Sequence, residues 1–283
     1  MIENICVAGA GTMGSGIALS AAQNGFPVIL FDTNEQVLNN ARKSIADNLE
    51  VAVQKGKISA TDQQNILQRI HFTSLIGECK ASLVIEAIIE KEDAKVALFN
   101  QLASINDVQT IFASNTSSLS VSGIQEKIPH PERVAGLHFF NPAQLMKLVE
   151  VVKAAQTSDQ VINELVNLSH QLKKTPVVCI DAPGFIVNRV ARHYYLEAMK
   201  LVESGIAGFE TVDEVMEASG FKMGPFKLMD LIGMDINLAV STSLYNAFGE
   251  TKRFKPSPLQ IQKVTEGNLG RKTGKGFYAY NAK

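Results

Sequence analysis

The sequence predicts an α/β N-terminal domain built on a mostly parallel sheet, followed by an all-α C-terminal domain. Three observations carry that reading. A glycine turn, Gly9-Ala-Gly-Thr-Met-Gly14, stands between an apolar strand pattern and a helical one. Strand and helix patterns then alternate to about residue 180, as βαβ units with right-handed crossovers require. Beyond Asp181-Ala-Pro-Gly-Phe185, whose Pro183–Gly184 pair signals a turn, the patterning is mostly helical.

Taken in order, Ile2–Ala8 reads as a short apolar strand, Met13–Asn24 as a helix and Pro27–Phe31 as a second strand. Glu35 to about Arg69 is polar with apolar residues at helical intervals (Val37, Ala41, Ile45, Leu49). That pattern predicts a helical pair broken near Lys55–Lys57. Leu83–Ile89 and Thr110–Ala113 read as buried strands on either side of a helix over about Lys91–Ser104. Arg133–Phe140 and Leu148–Val152 read as two more strands, joined by a turn at Asn141–Gln144 that suits Pro142. Val177–Ile180 is the last strand expected, and a long helix is expected from about Ile186 to Glu203. Gly220, Gly224–Pro225, Gly249 and Pro256–Pro258 break the helices that follow. The expected domains are residues 1–182 and 183–283.

Bulk properties bound the function. A chain of 283 residues can hold two cores, and 46% hydrophobic residues is ordinary for a globular protein. A net charge of −1 gives no bias toward nucleic acid or anionic membrane. No apolar run approaches the roughly 18–20 residues that span a bilayer, and the start of the chain lacks the basic region of a secretion signal. Cys6, Cys79 and Cys179 form no metal-ligand spacing; they are expected as reduced, buried, structural thiols in a cytoplasmic protein. No metal is expected.

The glycine turn has the form G-x-G-x-x-G. Gly9 permits the tight turn, Gly11 lets the backbone approach a pyrophosphate, and Gly14 lets the helix pack on the strand, with Gly16 a further small residue. The helix start, at Thr12 and Met13, offers unpaired N–H groups and a partial positive charge to phosphates. Asp32 closes the second strand at the position of a ribose-binding acid, which makes the first domain Rossmann-like. A carboxylate there accepts from a free 2′-hydroxyl and repels a 2′-phosphate, so NAD is expected over NADP. An N-cap role for Asp32 is the competing reading.

His138 and Glu150 lie inside apolar strands, Val134–Phe140 and Leu148–Val152. Charge there is costly unless paired, and a hairpin-like return would set the two side by side. Such a pair suits the acid/base of an alcohol oxidation, although a satisfied core histidine fits the same pattern.

These segments together with Ala113-Ser-Asn-Thr-Ser-Ser118, His138-Phe-Phe-Asn-Pro142, Ala182-Pro-Gly-Phe-Ile-Val-Asn-Arg189 and Gly270-Arg-Lys-Thr-Gly-Lys-Gly-Phe-Tyr278 resemble the L-3-hydroxyacyl-CoA dehydrogenase family, most closely its short bacterial 3-hydroxybutyryl-CoA members. The resemblance spans essentially the whole chain. It implies His138 as catalytic acid/base with Glu150 as its partner, and Ser117 and Asn188 as groups that position the substrate's oxygens from the two domains. It implies Glu90, Lys95, Asn115, Ser117, Asn141 and Lys275 as further NAD contacts, and Lys55 and Lys57 as contacts to the CoA phosphates. Local alternatives are plain: a helix N-cap for Ser117, a surface amide for Asn188, a surface ion pair for Glu90 and Lys95, and a solvated turn for Lys55 and Lys57. The implied substrates are acetoacetyl-CoA and 3-hydroxybutyryl-CoA, and the implied assembly is a homodimer through the C-terminal domain, whose Leu228–Leu238 stretch is apolar. An L-gulonate 3-dehydrogenase-like enzyme is the alternative of the same fold, and a non-catalytic lens-type relative would lack the His138–Glu150 pair.

Overall fold

Ile5–Ala8 (β1) is buried along its whole length, so both faces of its sheet must be covered. Ile5 and Val7 enter one apolar cluster, and Cys6 and Ala8 enter another on the opposite face, as the two-residue period of a strand requires. The computed structural model describes residues 1–280 and divides the chain into two units, Met1–Ala182 and Pro183–Lys283.

The first unit runs β1, α1 (Thr12–Gln23), β2 (Val28–Phe31), α2 (Glu35–Gln54), α3 (Ala60–Gln68), β3 (Ile70–Thr73), β4 (Leu83–Glu86), α4 (Glu92–Ile105), β5 (Ile111–Ser114), α5 (Val121–Gln125), β6 (Val134–Phe139), β7 (Leu148–Lys153), α6 (Asp159–Gln171) and β8 (Thr175–Ile180). The sheet order is β3-β2-β1-β4-β5-β6-β7-β8, parallel except where β6 meets β7. Strand order reverses between β1 and β4, the switch point at which open α/β sheets bind ligands. One core cluster joins the sheet to α1, α2 and α6, and the other joins it to α4.

Three expectations need correction. Ile70–Thr73 is a strand that sequence patterning leaves unassigned; it is four residues long, places His71 in solvent and lies at the sheet edge. The strand expected over Leu83–Ile89 is therefore fourth in order, and it ends at Glu86, whose carboxylate accepts the Ile88 N–H at 2.7 Å and turns the chain out of the sheet. The last strand begins at Thr175 rather than Val177. Pro176 is accommodated because β8 is an edge strand, where a missing donor costs no ladder bond. One thiol also differs from expectation. Cys6 and Cys79 are buried, as expected, with Cys79 Sγ 3.9 Å from the Leu75 carbonyl, while Cys179 is only half-buried. Burial, with the carboxylates of Glu150 and Asp181 behind it, pushes the Cys179 thiol up to about 11.

The second unit is helical: α7 (Val187–Glu203), α8 (Phe209–Ala218), α9 (Pro225–Ile232), α10 (Met234–Ala247) and α11 (Pro258–Thr265). Its core gathers Tyr195, Met199, Phe226, Met229 and Met234, with Phe277 and Tyr278 packed against it. Two buried carboxylates lock it. Asp213 accepts the Phe226 and Lys227 N–H groups at 2.8 and 2.9 Å, capping α9, and the Tyr278 hydroxyl at 2.8 Å. Asp230 accepts the Phe277 and Tyr278 N–H groups, both at 2.9 Å, and so clamps the C-terminal segment. A Cβ at Gly276 would stand 2.0 Å from Asp230 Oδ1, which accounts for one glycine of the Gly270–Tyr278 motif.

Candidate active site

The glycine turn leaves β1 at the switch point. Gly9 has φ of 105°, and a Cβ there would meet the Ala87 carbonyl at 2.6 Å. At Gly14 a Cβ would lie 1.7 Å from the Gly9 carbonyl oxygen, so α1 can start this close to β1 only without a side chain. Gly11 is different. A Cβ there would meet no atom within 4 Å. Packing within the chain does not require glycine at that position, and the open space leaves its backbone accessible from outside. Thr12 and Met13 open α1, whose first N–H groups face the same end. A cavity of about 470 Å³ adjoins the turn, lined by Gly11, Thr12, Gly16, Asn141 and Pro142 among others.

Asp32 follows β2. Its Oδ2 accepts the Ala10 N–H at 2.9 Å and its Oδ1 the Asn34 N–H at 3.0 Å, so the carboxylate ties the glycine turn to the end of β2. The N-cap of α2 is Asn34, which accepts from Gln36 and Val37; the capping alternative for Asp32 therefore falls. These features fit a dinucleotide: an open backbone at Gly11, a helix start, and an acid at the ribose position.

Antiparallel pairing of β6 and β7 sets His138 directly opposite Glu150. Their side chains meet, with His138 Nδ1 2.7 Å from Glu150 Oε2. Both are buried, at 6% and 1% exposure, inside strands that are otherwise apolar. The Phe140 ring lies 4.6 Å from the imidazole, centroid to centroid. Because an ionised carboxylate only accepts, Nδ1 carries the proton in the neutral ring and Nε2 is the basic nitrogen.

Between these features lies a network that sequence reasoning found only in part. Glu86, fully buried at the end of β4, accepts from Lys95 Nζ at 2.6 Å and Ser114 Oγ at 2.7 Å. Lys95, itself 1% exposed, also pairs with Glu90 at 3.1 Å. Glu90 in turn accepts from Thr116 Oγ1 at 2.6 Å and from the Ser117 and Ser118 N–H groups at 2.9 and 3.1 Å, organising the Asn115–Ser118 loop. Burial alone would raise the Glu90 carboxyl, but Lys95 and these donors outweigh it and hold the group below its ordinary value. The surface ion pair considered for Glu90 and Lys95 is thus surface-exposed only on the Glu90 side; Lys95 is buried, and its fully buried partner is Glu86. Glu86 was missed, although a charged residue inside an apolar strand is the signal that singled out Glu150. Ser117 is not an N-cap; Ser120 caps α5. Asn115 Oδ1 accepts the Phe139 N–H at 2.8 Å and joins β5 to β6.

The remaining expected residues lie on other elements. Lys55 and Lys57 are exposed in the turn after α2. Asn188 lies in the first turn of α7, and Lys275 is exposed on the C-terminal segment. Among the described residues, no group of His, Cys, Asp and Glu is arranged to hold a metal ion, and no helix is long and apolar enough to cross a membrane.

Two family models match the chain: the NAD binding domain of 3-hydroxyacyl-CoA dehydrogenase over residues 4–182, and the C-terminal domain of 3-hydroxyacyl-CoA dehydrogenase over residues 184–280. The chain is 45% identical to the 3-hydroxyadipyl-CoA dehydrogenase of Escherichia coli K12, over 99% of this chain but 60% of that protein's length. It is 40% identical to a probable 3-hydroxybutyryl-CoA dehydrogenase of Bacillus subtilis 168, over 100% of this chain and 99% of that one. The crystal structure of (S)-3-hydroxybutyryl-CoA dehydrogenase from Ralstonia eutropha superposes with a TM-score of 0.95 at 36% identity, covering 100% of both chains.

Proposed function

The chain belongs to the 3-hydroxyacyl-CoA dehydrogenase family, and from that premise we propose that it oxidises short (S)-3-hydroxyacyl-CoAs at C3 to 3-ketoacyl-CoAs with NAD and runs the reverse reduction. The observation that carries the proposal is the buried His138–Glu150 pair, in strands otherwise apolar, on a sheet whose switch point carries a nucleotide turn.

In this reading neutral His138 takes the C3 hydroxyl proton at Nε2, and protonated His138 returns it when the ketone is reduced. NAD supplies the acceptor for the hydride that leaves C3. Glu150 orients the imidazole through Nδ1 and offsets its positive charge while it holds the proton. Ser117 and Asn188 hold the substrate's oxygens. The Glu86–Lys95–Glu90 network presents the Asn115–Ser118 loop, with Glu90, Lys95, Asn115, Asn141 and Lys275 as the chain's further contributions to NAD binding. Asp32 makes NAD preferred over its 2′-phosphorylated form. Lys55 and Lys57 serve the CoA phosphates, to which lysine is suited as a point charge. Four-carbon esters fall within the proposed substrate class, supported by the 3-hydroxybutyryl-CoA dehydrogenases of Bacillus and Ralstonia that the chain resembles.

Steady-state kinetics with acetoacetyl-CoA test this. Turnover is expected with NADH and is expected to fall at least tenfold with NADPH, while L-gulonate with NAD is expected to give no appreciable rate. Oxidation of L-gulonate without reduction of acetoacetyl-CoA would overturn the proposal.

A further inference from the structure

The turn that joins β6 to β7 is fastened by a buried lysine. Lys174 stands in the short connection from α6 to β8 and is 7% exposed. Its Nζ donates to the Ala143 carbonyl at 2.6 Å and to the Met146 carbonyl at 2.8 Å. Burial, with no carboxylate beside it to offset the loss of water, holds the ammonium below the ordinary lysine value. The next residue continues the attachment, since the Thr175 N–H donates to the Lys147 carbonyl at 2.7 Å. Inside the turn, the Pro142 carbonyl accepts the Leu145 and Met146 N–H groups at 3.0 and 2.9 Å. The turn also abuts α1: a Cβ at Gly16 would lie 2.9 Å from Gln144 Oε1 and 3.2 Å from the Ala143 Cβ. Asn141, Pro142 and Gln144 thereby line the same cavity as Gly11, Thr12 and Gly16.

A buried ammonium without a counter-ion is costly, so its place in the fold needs a reason. An ammonium carries three donors on one atom, and a single Nζ can hold two carbonyls of one turn at a fixed point. Bonds from a charged donor are also about twice as strong as neutral ones. Apolar packing does little to fix this turn, because Ala143 is buried while Leu145 and Met146 are exposed. The turn's position therefore depends on its polar ties, and Lys174 makes two of them.

We propose that Lys174 is a positioning residue for the nicotinamide cofactor: through the Ala143 and Met146 carbonyls it sets the Asn141–Gln144 wall against the glycine turn at the spacing NAD requires. This rests on the functional reading above only through the cofactor. The His138–Glu150 pair is held by the β6–β7 ladder itself, so proton exchange at C3 survives the loss of Lys174. The effect falls on cofactor affinity instead.

Lys174→Met keeps much of the side-chain length and removes the charge and the donors. By fluorescence titration of the full chain, its NADH Kd is expected to rise about fivefold or more, a size set by the net worth of roughly one hydrogen bond. The kcat for acetoacetyl-CoA reduction at saturating NADH and the KM for acetoacetyl-CoA are expected to stay within about twofold of wild type, a split that general loosening of the fold would not give. Lys174→Arg, which keeps the charge and can serve two acceptors, is expected to recover part of the affinity, and Lys174→Gln less of it. An NADH Kd in folded Lys174→Met equal to that of wild type would overturn the inference. So would a fall in kcat and in both affinities that Lys174→Arg does not relieve, which would make Lys174 a structural cation only. If Lys174→Met does not fold, the other two variants decide: weaker NADH binding in Lys174→Gln than in Lys174→Arg supports the inference, and equal binding overturns it. Binding is read without turnover, so a wild-type chain that binds NADH and leaves acetoacetyl-CoA unreduced defeats the acyl-CoA reading alone. Unchanged NADH affinity in Lys174→Met, with acetoacetyl-CoA still reduced, defeats this inference alone.

Discussion

Gly11 and Gly14 stand three residues apart in one turn and answer to different demands. At Gly14 the protein itself excludes a side chain, since a Cβ would overlap the Gly9 carbonyl. At Gly11 the space is open. Gly14→Ala is therefore expected to destabilise the fold by about 1–3 kcal/mol or more, as overpacking does. Gly11→Ala is expected to leave the melting temperature unchanged and to weaken NADH binding about tenfold, roughly 1.4 kcal/mol. Calorimetry and a fluorescence titration separate the two, and equal NADH affinity in Gly11→Ala would remove that residue from the nucleotide site. Both glycines were legible because the motif names a role for each. His138 and Glu150 were legible as a pair because ionisable groups in apolar strands need partners. Glu86 carried the same signal and was passed over, because no motif surrounds it. Lys174 gave no signal at all: its acceptors, the carbonyls of Ala143 and Met146, are distant in sequence.

The Asn115–Ser118 loop is held from outside itself. Its two amides at Ser117 and Ser118 end on the Glu90 carboxylate, and Glu90 is held by Lys95, which Glu86 anchors. Glu90's carboxyl lies below its ordinary value, so its contribution to stability is complete above the unfolded-state value of about 4.3 and is lost as pH falls through the lower folded value. Glu90→Gln is accordingly expected to be destabilised relative to wild type at pH 7, with the gap narrowing toward pH 3. Urea unfolding at several pH values measures it, and a gap constant with pH would contradict the carboxylate's role. Glu86→Ala leaves Lys95 buried beside a single, partly exposed carboxylate and is expected to cost about 3 kcal/mol. Elements with a long helical period were readable from sequence, such as the pair α2 and α3; their caps, Asn34 and the capping box of Ser59 and Asp62, came only with the structure. β3 was not, because four residues with His71 in solvent give too few alternations to distinguish a strand from a loop. The start of β8 was hidden by Pro176, which is tolerated only because of where the strand lies in the sheet, a fact of topology rather than of local sequence.

At the scale of the whole molecule, sequence patterning carried the fold class: alternating elements, then helices. The turn signal at Pro183–Gly184 stands where the two units divide. Association was not legible, since an apolar helix face serves an interior and an interface alike. Leu231, Ile232 and Ile236, within the apolar stretch of the helical unit, are exposed in the single chain, so the expected homodimer can be tested on that face. Light scattering is expected to give twice the 30.7 kDa chain mass, reduced toward one chain by Ile236→Asp. A monomeric wild-type chain would contradict that expectation. The central claim is narrower: His138 exchanges the proton at C3 of an acyl-CoA. Its most direct test is the single-turnover rate of acetoacetyl-CoA reduction by NADH in His138→Gln, with NADH affinity measured on the same preparation. A fall of roughly 10²–10⁴-fold with affinity unchanged is expected, and a rate near that of wild type would contradict the account.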